Sequence, residues 1–275
     1  ATATLAVHSD AGMGTAGVAS GSVMLDGQAT LVFDAGQIGT IAAGGLLQFF
    51  GLSRIADAAD VTSNSALTGI SSVAGTLSLG DETLAVAGDL GNTGRIDIDD
   101  QYGGAGGSVA SIAGTLSNAG FLYLGRGADQ LGSDTRLTVG ALANTGNILV
   151  IGNPGTATAV LAATGAAGNS GSIDIEAGAL LIVGDAFSET GGTLTLLGTL
   201  SAGSADFSGG RLALGGRLAA GQVTLEAAAA VQGFGTIDGA LANAGTLLAS
   251  GGTLEITGAV SGAGEIDIAA GAGLL

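Results

Sequence analysis

Apolar side chains in this chain recur in short alternating bursts. From Arg95 the order is Arg-Ile-Asp-Ile-Asp, which sets Ile96 and Ile98 on one side and Arg95, Asp97 and Asp99 on the other. A period of two over four to six residues marks a strand with one buried face. Gly precedes each burst, commonly with Asn two residues earlier. The unit reads apolar-x-Asn-x-Gly-x-apolar-x-apolar, as in LGNTGRIDI (90–98), LSNAGFLYL (116–124), LANTGNILV (142–150) and AGNSGSIDI (167–175). It returns as FSETGGTLT (187–195), VQGFGTIDG (231–239), LANAGTLLA (241–249) and VSGAGEIDI (260–268), with looser copies at Gly21, Gly75 and Gly210.

Taking Gly75, Gly94, Gly120, Gly146, Gly171, Gly191, Gly210, Gly235, Gly245 and Gly264 as centres, every step but one of 10 lies between 19 and 26 residues. No single unit can bury its own apolar face, so successive units must stack. The expected fold is all-β, a right-handed parallel β-solenoid (β-helix) built from turns of 19–26 residues. About twelve turns spaced by ~4.8 Å make a rod on the order of 60 Å long. Residues 65–275 form the regular repeats; residues 1–64 are poorly phased turns or a cap. Gly45–Val61 admits two readings, an amphipathic helix with Leu46, Phe49, Phe50 and Ile55 on one side, or a wider β-turn.

The turn residues carry the rest of the prediction. Asn92, Asn118, Asn144 and Asn169 are placed to stack from turn to turn as an amide ladder. Their glycines, Gly94, Gly120, Gly146 and Gly171, supply either a positive φ or room for close backbone approach. Asn243, Gly245 and Gly264 repeat the motif near the other end.

Composition narrows the function. Of 275 residues, 54 are Gly, one is Pro (Pro154), and none is Cys or Lys. With 47% hydrophobic and 11% charged residues, the chain has the opposite balance to a disordered one. Six arginines face 23 acids, a net charge of −17, so nucleic acid and anionic membrane surfaces are not expected partners. The longest apolar candidate, Ile41–Leu52, is too short to span a bilayer as a helix and carries Gln48. Aromatic residues, at 3%, are too few for the girdles of an outer-membrane barrel, and no membrane insertion is expected. The chain opens ATATLAVHSD, without a signal peptide, and stops at EIDIAAGAGLL in mid-pattern, as a fragment or processed product would.

On these residues the chain resembles the long β-strand-repeat surface proteins of Gram-negative bacteria, including autotransporter passengers and filamentous-haemagglutinin-like adhesins. SALTGISSVAGTLSLGDETLAVAGDLGNTGRIDID (65–99), GTLSNAGFLYLG (114–125), ALANTGNILVIG (141–152) and the stretch 233–274 carry the likeness. The resemblance implies export and an extracellular or bacterial cell-surface location. It brings no catalytic residues, because the matching positions are structural Gly, Asn and Leu/Ile.

Candidate chemistry is sparse. His8 is the single histidine, and without Cys or Lys neither a nucleophilic triad nor a zinc site can be assembled. The chain is therefore expected to be no enzyme but a structural or adhesive module, a stiff spacer or filament body, with no organic cofactor. Its partners would be itself, end to end or laterally, or extracellular glycans and a host surface. Two alternatives use the acids. Same-face pairs Asp97/Asp99 and Asp174/Glu176, about 6.6–7 Å apart on an ideal strand, fit the separation of glycosidase carboxyls, giving a polysaccharide-binding or -cleaving β-helix. Asp97, Asp99 and Asp100, with Gln101, offer clustered hard oxygens for calcium. Loops at 102–108 and 125–135 are the places for contacts.

Overall fold

The computed structural model describes residues 3–7, 14–15, 17–33, 38–100, 105–125 and 130–275. Among them one short 3-10 turn, Ser65–Leu67, interrupts a chain otherwise made of strands. These strands form one sheet of 27 and a separate sheet of three. Between strands every pairing is parallel except Gly14–Thr15 with Val18–Ala19. The fold is a parallel β-solenoid.

Each coil places three strands on three columns. In the first column Leu90–Asn92 lies under the end of Val109–Asn118, which lies under the end of Thr135–Asn144, and onward to Val260–Ser261. The second runs from Ser22–Leu25 through Leu46–Phe50, Thr76–Gly80, Arg95–Ile98 and Phe121–Gly125 to Glu265–Ile268. The third contains Thr83–Val86, Val109–Ile112 and Arg136–Val139, and continues past Leu254.

The alternation read from the sequence settles which side chains point in. Ile96/Ile98, Leu122/Leu124, Ile148/Val150, Ile173/Ile175 and Leu194/Leu196 are stacked in register and buried in one continuous core. Volume is balanced between rungs of the first column. Phe187 sits between Ala167 and Ala205, and its ring packs against Phe207 with centroids 6.0 Å apart. Val260, Ile266 and Ile268, which occupy inward positions in the last coil, are exposed.

Close approach, rather than positive φ, explains the repeat glycines. A Cβ on Gly94 would lie 2.1 Å from the carbonyl oxygen of Gly75, and one on Gly120, 2.2 Å from that of Gly94. At Gly146 and Gly171 the distances to the glycine oxygen below are 2.3 and 2.2 Å, and none of the four has a positive φ.

Following the register corrects the phasing at three places. Gly45 is the missing member between Gly21 and Gly75, so the N-terminal turns stack in phase with the rest. Gly192, not Gly191, follows Gly171, because Thr193 pairs with Ser172. Gly235 does not belong to this glycine column. Ala230 pairs with Arg211, which puts Ala229 in the glycine column, while Thr236 pairs with Arg217 in the third column. Gly233 and Gly235, at φ +139° and +105°, carry the single strand Ala230–Asn243 round the corner between columns, and the step of 10 disappears. Gly45–Val61 is likewise strand, not helix: Leu46–Phe50 and Arg54–Asp57, with Leu47 and Phe49 buried and Leu46 and Phe50 half-buried on the other side.

Candidate functional site

The asparagines form the predicted ladder. Asn92 Nδ2 donates to Asn118 Oδ1, Asn118 to Asn144 and Asn144 to Asn169, each at 2.7 Å. Each amide also donates to a main-chain oxygen, as Asn92 does to Phe121 at 2.8 Å and Asn144 to Ser172 at 3.1 Å. All four are buried. Because every amide donates in the same direction, the ladder has a donor end and an acceptor end. At the donor end Asn169 Nδ2 reaches Glu189 Oε2 at 2.6 Å, and Gly192 N donates to Glu189 Oε1 at 2.8 Å. At the acceptor end Val73 occupies the next rung, and Asn92 Oδ1 has no partner. Burial pushes the Glu189 carboxyl above its ordinary range, against the lowering effect of Asn169 and of the Gly192 and Gly191 amides. Asn243 makes a separate turn, donating to Glu265 O at 3.1 Å and accepting from Gly245 N.

Of the acids singled out for calcium or hydrolysis, Asp97 and Asp99 are held by protein groups. Asp99 sits past the strand at φ +56° and is fully buried. Its Oδ1 accepts from Asp81 N and Ser108 Oγ, each at 2.8 Å, and its Oδ2 from Ser108 N at 2.8 Å and Thr135 Oγ1 at 2.5 Å. Four donors make it a staple across neighbouring coils. Asp97 Oδ2 accepts from Arg95 Nε at 2.5 Å, while Oδ1 is buried without a partner. Burial raises its pKa more than Arg95 lowers it. The left-handed backbone at Asp99 ends the strand, so the Asp97 and Asp99 carboxyls turn to different partners instead of facing one gap. Asp100 is buried and engaged. Among the described residues no three His, Cys, Asp or Glu side chains are gathered to hold a metal. Asp174 lies between Leu149 and Thr195 on the outer face. His8, Gln101 and parts of both predicted contact loops (102–104, 126–129) lie outside the described residues.

A different group comes together where the third column breaks. Ala3–Val7, Ala29–Phe33 and Arg54–Asp57 form the small sheet, and the column resumes at Thr83–Val86. Asn64 spans the gap. Its Oδ1 accepts from Ile55 N at 2.8 Å and its Nδ2 donates to Thr83 O at 2.7 Å, so a side-chain amide stands in for a peptide of the ladder. Ser65 Oγ supports it, accepting from Asp57 N at 2.8 Å and donating to Asp60 O at 2.6 Å.

The break opens a cleft of ≈ 450 Å³ beside Asn64, lined by Leu52, Arg54, Ser63, Thr68, Asp81, Glu82 and Ala85 among others. Glu82 is 6% exposed, and its Oε1 has no hydrogen-bond partner. Burial pushes its carboxyl up to about 7, while the Ser53 backbone, Asn64 and Arg54 pull it down. A second hollow of ≈ 360 Å³, walled by Met24, Gln48 and Phe50, meets the first at Asp81.

No family model, no curated protein and no solved structure matches this chain.

Sequence reasoning missed the cleft because Arg54, Asn64 and Glu82 belong to no motif. The one available signal was the adjacent acid pair Asp81-Glu82 between two runs of alternating apolar residues.

Proposed function

We propose that this chain is a stiff structural or adhesive module of a secreted or cell-surface bacterial protein, acting as a spacer or filament body. The observation that carries the reading is the ladder. Conserving one direction of hydrogen bonding through Asn92, Asn118, Asn144 and Asn169 locks the register of successive coils and leaves those side chains no freedom for chemistry. Asp99, the most buried of the outward acids, is likewise taken up as a staple. A parallel stack with a shared core resists bending, because from Thr83 onward successive coils are bonded along three columns. The net charge of −17 keeps neighbouring rods apart and an apolar, Gly-rich surface soluble.

Small-angle scattering tests the rod. An elongated particle with a length on the order of 60 Å supports the reading, and a compact near-spherical profile sinks it. Protease or antibody access on intact cells of the source organism tests location, and protection until lysis overturns it.

A further inference from the structure

The third column is broken at one place, and a carboxyl sits at the break. Arg54–Asp57 ends the small sheet, Thr83–Val86 begins the column again one coil later, and the two strands do not pair. Side chains make the joint instead. Asn64 ties Ile55 N to Thr83 O, and Ser65 Oγ takes the Asp57 amide. Glu82 enters the joint directly before Thr83. Its carboxyl is held by the Ser53 main chain and the Asn64 side chain, while Oε1 is sealed from solvent without a partner.

The groups facing Glu82 do little for its charged form. Arg54 faces it from the small sheet and Asp81, of like charge, precedes it in the chain. Arg54 also acts on Asp60, which hydrogen bonds from Ser63 and Thr62 hold at about 2 and hence anionic. From the coil above, Ser108 Oγ accepts from Glu82 N at 3.1 Å and donates to Asp99 at 2.8 Å, so no cation approaches from that side. A charged oxygen buried without a donor is costly, whereas a neutral carboxyl loses far less on burial.

We propose that Glu82 is a proton-operated latch: neutral, it keeps the Asn64 joint shut, and on ionising it frees residues 52–68 from Thr83 while the rest of the stack stays folded. The opening is local because the second column runs unbroken past the joint, from Ser22–Leu25 through Leu46–Phe50 to Thr76–Gly80. It would uncover the facing edges of Arg54–Asp57 and Thr83–Val86, which only side chains now cover. Failure of the latch would leave the rod reading untouched.

Burial is the largest cause raising the Glu82 carboxyl from 4.5 to about 7. The closed joint is therefore fully favoured below the lower value and loses that support as pH rises through the upper one. Between about pH 6 and about pH 8.5 this linkage raises the opening constant about tenfold.

Amide hydrogen exchange on the full chain, read by NMR and corrected for intrinsic rate, tests the latch. Ile55 N and Asp57 N, whose acceptors are the Asn64 and Ser65 side chains, report the joint. Phe121 N, bonded to Gly94 O at 2.8 Å in the second column, is the reference. Protection at Ile55 and Asp57 relative to Phe121 is expected to fall about tenfold across that range, and to stay level in Glu82→Gln. Glu189→Gln, far along the stack, is expected to leave the fall in place. A constant ratio in the unsubstituted chain, a fall that survives Glu82→Gln, or its loss in Glu189→Gln overturns the proposal. If Glu82→Gln does not fold, carbon-13 titration of the Glu82 carboxyl in the unsubstituted chain decides. A midpoint near 7 that tracks the loss of protection supports the latch, and any midpoint that does not track it overturns the latch.

Discussion

Between Asn92 and Asn169 the first column is filled by amides; at Phe207 and Leu225 the same inward position is filled by hydrocarbon. Both solutions bury the site completely or nearly so. They differ in what they demand of their neighbours. A buried amide demands polar partners for its N–H and C=O groups, which the ladder asparagines find largely in one another and Asn243 finds in the main chain. A Phe or Leu demands only volume, which neighbouring rungs adjust by pairing large with small, as Ala205 does above Phe187. Glu189 is the seam between the two regimes, accepting from the last amide and lying directly beneath Phe207. Coil length changes at the same place. The asparagine coils are 25 or 26 residues apart, whereas Glu189 follows Asn169 at 20 and Phe207, Leu225 and Asn243 each follow at 18. The difference lies in the span of chain between the second and third columns, from Ile98 to Val109 or from Gly125 to Thr135, against only Gly215-Gly216 between Leu214 and Arg217.

Phe207→Ala strikes the hydrocarbon regime and should have the largest effect. It opens a cavity and removes the ring contact with Phe187, at a cost of about 3–5 kcal/mol in chemical denaturation. Asn144→Ala should cost about 2–3 kcal/mol, by leaving Asn118 Nδ2 and Asn169 Oδ1 without their rung partner. Combining it with Asn118→Ala should cost less than the sum, by more than about 0.5 kcal/mol, because the two share a rung. Strict additivity would show that the amides act singly and would break the comparison.

The seam predicts a pH dependence. Burial raises the folded-state pKa of Glu189, and that of Glu82 to about 7, above their unfolded values. Such groups stabilise the fold below the unfolded pKa, near 4.5 for Glu82, and that contribution is lost as pH rises through the folded one. The melting temperature should therefore fall between mildly acid and mildly alkaline buffer. Glu189→Gln and Glu82→Gln together should flatten the profile; an unchanged slope would mean that neither carboxyl is held neutral.

The smallest effect concerns glycine. Nothing lies within 4 Å of a Cβ on Gly168, so Gly168→Ala should stabilise by about 0.5 kcal/mol. Three residues on, Gly171→Ala would place a methyl 2.2 Å from Gly146 O and should destabilise by about 2 kcal/mol or more.

The strand positions were legible because a period of two is local: Ile96 and Ile98 point inward in any register that buries them. The asparagine ladder was legible because four amides recur at nearly equal spacing. Gly191 and Gly235 misled because a glycine in the sequence does not say which backbone it meets, and Ala229 occupies a place that spacing alone assigned elsewhere. The Asp97/Asp99 pairing assumed that the strand runs through Asp99, whereas its positive φ turns the carboxyl toward Ser108 and Thr135.

By itself, then, the order of residues determined the strand faces, the stacked-coil architecture and the amides that would meet, since each follows from short-range alternation repeated along the chain. Only the folded stack decided where one column stops and a side chain bridges it. That outcome depends on coils separated by tens of residues, whose alignment is set by the packing of every rung between them. The opening at Asn64, and with it the buried carboxyl of Glu82, exists nowhere in the chain until Ile55 and Thr83 are brought to the two sides of one amide.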